Sequence, residues 1–247
     1  MIINYKEPYW MKFRWDMSSH HEHQYVTEFN KFNNDVLNEF LFEKNFIITC
    51  EFKIEKDFKR DEICMLYGKP GKNIGLSYNS NTKTTAFEFW TTTGDPKDDT
   101  FNMCLFQSVT EQDIEEGVIL SVVRKDNEII LYQNFKKVNN LVFDGEFIDD
   151  YKVPGLFIGC SSPECEFEKQ RYYCEVDMKH LSIIINTSNI NDIRELYNVD
   201  MNKILTKTSY NDILCLYDFE SVNNIGIIYD ESKNTNFLEK VPKEFVK

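Results

Sequence analysis

One short stretch narrows what this chain can become. Residues 118–124 (VILSVVR) and 128–133 (EIILYQ) are aliphatic and β-branched runs, and Lys125, Asp126 and Asn127 lie between them. Those three tolerate the positive φ of a tight turn, so the pair reads as a β-hairpin. A looser segment follows, and residues 156–160 (LFIGC) then read as a third, buried strand. An antiparallel meander with a long return is the material of a β-sandwich.

The rest of the chain repeats the pattern. In residues 46–54, Phe46, Ile48, Cys50, Phe52 and Ile54 alternate along one strand face. Residues 9–15 alternate likewise, through Tyr9, Met11, Phe13 and Trp15. Strands are predicted at 63–67, 74–78, 84–92 and 101–109, with turn chemistry about every ten residues. In the third of these, Phe87 and Phe89 share a face with Thr85 and Thr91, which leaves Glu88 and Trp90 on the other. A long strand covers 172–185, and further strands cover 213–219 and 225–229. Short helices are predicted at 35–42 and 189–197, the second with Asn189 as N-cap. Residues 94–100, 111–116 and 198–210 read as polar connections. Ala86 is the only alanine while Phe numbers 20 and Tyr 13, a profile that favours strands over helices. The expectation is an all-β, two-sheet antiparallel β-sandwich with one or two short helices.

Charge excludes some partners. Against 28 Lys and Arg stand 41 Asp and Glu, for a formal net charge of −13, and no basic run offsets it. Nucleic acid and anionic membrane surfaces are therefore not expected as partners. No stretch approaches the roughly 18 apolar residues of a membrane span, and the first thirty residues do not read as a secretory signal. With seven cysteines and no CxxC spacing, the reading is of free, mostly buried thiols and a cytoplasmic or virion-associated protein, although a pair such as Cys165 and Cys174 could bridge were the protein exported by another route. His20, His21 and His23 read as a solvated loop, because adjacent positions on an extended chain point apart. The segment GKPGKN (68–73) lacks the Ser or Thr and the helix of a phosphate-binding loop and reads as a turn.

The order of elements resembles the concanavalin A-like lectin/glucanase superfamily, in particular its laminin-G-like and pentraxin-like members. VILSVVRKDNEIILYQN resembles that family's central hairpin, LFIGC its buried strand, YYCEVDMKHLSIIIN its last long strand, and SNINDIRELY its closing helix. The similarity spans roughly residues 46–197. It implies a jelly roll, carbohydrate binding on the concave sheet or its rim, and a calcium ion in many members. The family's opening motif instead occurs late, as LYDFE and YDESKN. Residues 1–198 would thus form the jelly roll. Residues 199–247 would be a linker and strands that either close the sandwich in permuted order or begin a second lectin-like module. Asp177 and Asp230 are the positions most similar to cation-associated ones.

The glucanases of that superfamily place three carboxylates on one strand face, where an acid and a nucleophile flank the glycosidic bond. Here Glu175 and Asp177 are followed by Lys179, so the set is incomplete and no catalytic residue is assigned. The expected function is non-catalytic carbohydrate recognition, accessory to a carbohydrate-active enzyme such as a glycosyltransferase. Tyr78 and Trp90 would stack on sugar rings, and Asn79, Glu88 and Asn134 would hydrogen-bond hydroxyls. The competing expectation is a structural or assembly protein, viral or surface-borne, forming homo-oligomers or part of a larger polypeptide. A glucanase-type hydrolase ranks third.

Overall fold

The computed structural model describes residues 11–13, 25–26, 45–54, 62–67, 75–91, 101–145, 157–158, 176–189, 192–197, 201–218 and 239–240. The predicted helix at 35–42 and the strand at 225–229 lie outside them. The strands are β1 (Met11–Phe13), β2 (Tyr25–Val26), β3 (Asn45–Lys53), β4 (Glu62–Tyr67), β5 (Gly75–Asn79), β6 (Thr84–Thr91) and β7 (Phe101–Ser108). They continue as β8 (Val118–Lys125), β9 (Glu128–Gln133), β10 (Lys136–Val142), β11 (Phe157–Ile158), β12 (Val176–Ile185), β13 (Ile213–Asp218) and β14 (Glu239–Lys240). Two short helices, α1 (Glu111–Glu116) and α2 (Met201–Ile204), accompany them.

The strands form two antiparallel sheets, as an all-β sandwich requires. The seven-stranded sheet runs β1-β12-β3-β8-β9-β10, with β13 also on β12, and the five-stranded sheet runs β11-β4-β5-β6-β7. A separate pair joins β14 to β2. Because β3 holds one edge of β12, β1 and β13 share the other, β1 at residues 176–178 and β13 at 180–184. Residues 213–218 thus belong to the same sheet as the central hairpin.

Period-two alternation builds the core. Phe46, Ile48, Cys50 and Phe52 of β3 meet Leu120 and Val122 of β8, Leu131 of β9, and Leu181 and Ile183 of β12 on the inner face. Leu76, Tyr78, Phe87, Phe89 and Leu105 come from the other sheet. Phe89 lies 5.6 Å from Phe87 and 5.3 Å, edge to face, from Phe143. The Arg124 guanidinium stands 5.6 Å above Phe143 and donates from Nε to the Asp126 carbonyl at 3.0 Å, which lets a cation end a core strand.

The seven-stranded sheet is buried on both faces over part of its length, which explains the unbroken apolar runs Phe46-Ile47-Ile48 and Ile183-Ile184-Ile185. Ile47, Val123, Ile130 and Ile184 face away from the main core into a second cluster, closed by Ile193, Leu196 and Ile204. The covering segment is not the regular helix expected at 189–197. It makes 3₁₀ turns at Thr187–Asn189 and Ile193–Glu195, the latter capped by Asp192. It then includes α2, within residues expected to be a polar connection.

Two other elements depart from expectation. Residues 111–116 form α1, because Thr110 Oγ1 accepts from the Asp113 N–H and Gly117, at φ 118°, ends the helix where a Cβ would clash. The looser segment after β9 is itself a strand. β10 is polar and lies on the sheet edge, with a bulge between Lys137 and Asn139 and two lysines that discourage further pairing. Asn139 Nδ2 crosses to the facing edge and donates to the Phe106 carbonyl of β7 at 2.7 Å. Among the described residues no helix is long and apolar enough to cross a membrane.

Candidate functional site

The outer face of the five-stranded sheet is set by the strands that fill its inner face. Leu76, Phe87 and Leu105 are cross-strand partners pointing inward. Their sequence neighbours Ser77, Ala86 and Phe106 therefore align on the outside, and Gly75, Glu88 and Cys104 form the next row. Gly75, Ser77 and Ala86 are small and buried. Phe106 is 56% exposed. Glu88 is diagonal to Phe106, a separation of about 7–8 Å between Cα atoms on antiparallel strands. The Glu88 carboxyl is half-buried, and burial pushes its pKa above the ordinary carboxylate value. Trp90 takes the following register position on this face, opposite Asn102. The result is an exposed aromatic ring near a partly desolvated carboxyl.

The other residues expected to bind sugar lie elsewhere. Tyr78 belongs to the main core and is 6% exposed, and burial raises its phenol pKa against the pull of Lys83. Asn79 caps the β5–β6 turn, its Oδ1 accepting from the Asn81 and Thr82 N–H groups at 3.0 Å each. Asn134 occupies the β9–β10 turn at φ 48°, and its Oδ1 accepts from Ile119 N–H at 3.0 Å. Of the five, Glu88 is on the outer face, and Trp90 holds the register position two residues along the same strand. Period-two alternation along β5 puts Tyr78 in phase with the inward Leu76, whereas Phe106, not among the residues expected to bind, follows Leu105 on the opposite phase. That phase was the signal available for it.

A second polar group sits on the outer face of the seven-stranded sheet. Thr49 and Ser121 are cross-strand partners whose hydroxyls hydrogen-bond at 2.9 Å while buried. Next along β12, His180 Nε2 and Ser182 Oγ are 3.1 Å apart, both side chains sealed from water. Tyr197, from the covering segment, lays its ring edge to face on His180 at 5.1 Å and donates its hydroxyl to Glu51 Oε2. Lys179 Nζ lies 3.6 Å from the same carboxylate. Phe135 packs on the far side of Tyr197 at 5.2 Å, with the Arg194 guanidinium 5.5 Å above it. Burial first, and Lys179 second, bring the His180 pKa down to about 4. Asp177 lies on this face, opposite Lys53, and is 1% exposed. Asp230 falls outside the described residues. Calcium takes about six to eight oxygen ligands, and among the described residues no three of His, Cys, Asp or Glu converge to hold a metal ion.

Two antiparallel sheets packed face to face define the class of this molecule as a β-sandwich of the jelly-roll type. No family model matches the sequence, and no curated protein matches it. Among solved structures the chain is similar to a candidate carbohydrate-binding protein from Bacteroides ovatus, with a TM-score of 0.57 and 12% identity over 88% of this chain and 57% of that one. It is also similar to the IT-sialidase CBM40 of Ruminococcus gnavus (TM-score 0.46, 12% identity, 66% of this chain and 88% of that one). Domains LG4-5 of the mouse laminin alpha1 chain are a further neighbour (TM-score 0.38, 13% identity, 57% of this chain and 35% of that one). The Bacteroides protein shares the sandwich fold, and the present chain spans a little over half its length.

Proposed function

We propose that this protein is a non-catalytic carbohydrate-binding domain of the concanavalin A-like type, accessory to a carbohydrate-active enzyme, with its sugar site on the outer face of the five-stranded sheet. The observation that carries the reading is Phe106 standing exposed on β7, diagonal to the half-buried Glu88 of β6. A pyranose offers an apolar face for an aromatic ring and hydroxyls for a carboxyl. Trp90, next on the same face, would extend the platform, as the sequence reading assigned it. The Bacteroides ovatus protein, whose name proposes carbohydrate binding, has the same fold and gives the reading a parallel. The partner is thus a glycan. Calcium, if bound, would use Asp177 and lie on the opposite sheet from this site.

A glycan array followed by titration calorimetry tests the proposal. Binding that Phe106→Ala weakens about tenfold, and that Glu88→Gln also weakens, supports it. The tenfold figure follows from a sugar covering about 55 Å² of the ring at ~25 cal/mol per Å². The assembly reading draws on the exposure of Phe106 and of Val142, 69% exposed on edge strand β10. No glycan binding, together with a self-associated species in sedimentation that Val142→Lys disperses, would favour it.

A further inference from the structure

We propose that residues 192–197, bearing Ile193, Leu196 and Tyr197, together with Ile204 of α2, form an acid-released strap over the seven-stranded sheet, with His180 as its proton sensor. The strap is held in two ways. Ile193, Leu196 and Ile204 cover Ile47, Val123, Ile130 and Ile184, and the Tyr197 hydroxyl donates to Glu51. His180 lies under Tyr197, fully buried. Its Nε2 is engaged with Ser182 Oγ, and its Nδ1 has no hydrogen-bond partner among the described residues. The neutral ring suits this site, since Nε2–H can donate to Ser182 and leave only a lone pair on Nδ1. Protonation would put a charge and an unsatisfied N–H in a sealed place.

The charged groups around the ring do not remove that cost. On β3, Glu51 is the cross-strand partner of His180, but its carboxylate already serves Tyr197 and Lys179, and Lys53 lies further along. On β12, Lys179 adds positive charge beside the ring, and Asp177 stands three residues away, opposite Lys53. Asp218 holds the register position opposite His180 on β13. The strap brings Tyr197 and, over Phe135, Arg194. If charged His180 drew on Glu51, it would compete with the bond that pins Tyr197.

With the strap closed, the His180 pKa is held down to about 4, and opening, by wetting the ring, would move it back toward the ordinary 6.5. The open form therefore binds more protons between those values, and closure weakens as pH falls from about 6.5 to about 4, changing no further below. From these two pKa values the opening constant rises about 20-fold between pH 7 and pH 5.

Hydrogen exchange at the Leu196 and Lys207 amides, which donate to the Ile193 and Ile204 carbonyls, reads the opening once the intrinsic pH dependence is divided out. The expected result is the ~20-fold rise, with β8 and β9 amides unchanged and the effect gone in His180→Gln. An equal pH slope in His180→Gln, or parallel loss of protection in β8 and β9, would overturn the proposal. Should that variant not fold, the ring resonances of His180 in the natural protein still decide. Titration near pH 4 supports the strap, and titration near 6.5 removes its basis.

Discussion

Phe89 and Phe106 sit on neighbouring strands of one sheet and should respond to truncation very differently. Phe89 is fully buried between Phe87 and Phe143. Cutting it to alanine loses the transfer free energy of the ring and leaves a cavity bounded by two other aromatic rings, about 3–5 kcal/mol in all. Against a total stability of about 5–15 kcal/mol, that is a large fraction. Phe106 has under half its surface covered, since it is 56% exposed. Of about 200 Å² for a phenylalanine, some 90 Å² is buried, worth at most ~2 kcal/mol. The retained β-carbon and the absence of a closed cavity reduce this to about 1 kcal/mol. Urea denaturation of Phe89→Ala and Phe106→Ala, followed by circular dichroism, measures both. Equal losses would refute the assignment of the two rings to opposite faces, and with it the phase of β6 and β7.

Three further outcomes follow from buried or strained positions. Thr49→Val should cost about 1–3 kcal/mol by leaving the Ser121 hydroxyl without its 2.9 Å partner. Adding Ser121→Ala should recover much of that loss, so a double-mutant cycle with near-additive terms would contradict the pairing. Asp126→Pro should destabilise by more than about 2 kcal/mol in thermal melts, because Asp126 holds φ 51° and proline cannot leave about −65°. Cys50 and Cys215 are buried cysteines, and burial pushes the Cys50 pKa strongly upward. Peptide mapping after alkylation should find both unlabelled in the native protein and labelled in denaturant.

Alternation made most of the sandwich legible in the sequence. The Phe46–Ile54 series, the hairpin of β8 and β9, and the inward pair Phe87 and Phe89 carried their own phase, because one face of each strand had to be apolar. β10 was not legible: Lys136, Lys137, Asn139 and Asn140 bury little, and the strand is held by backbone bonds to β9 and by the Asn139 bridge to Phe106. α1 announced itself only through Thr110 and Asp113, a local cap inside an acidic run that reads equally well as a loop. Of the residues proposed for the site, Glu88 came from the alternation of one strand, whereas Phe106 needed the register of β7 on β6. Tyr78 is an aromatic whose type suits a sugar and whose phase sends it inward. The His180 and Tyr197 contact joins an inner strand to a covering turn, and nothing local in the sequence signals such a meeting.

The location of glycan binding is the claim most open to direct measurement. Titrating an array-selected oligosaccharide into isotopically labelled protein should shift the amides of Gly75, Ser77, Ala86, Glu88 and Phe106 together, along one saturating curve. Shifts confined to the strap and to Glu51, Tyr132 and Phe135 on the other sheet, with the Phe106 row unmoved, would contradict it.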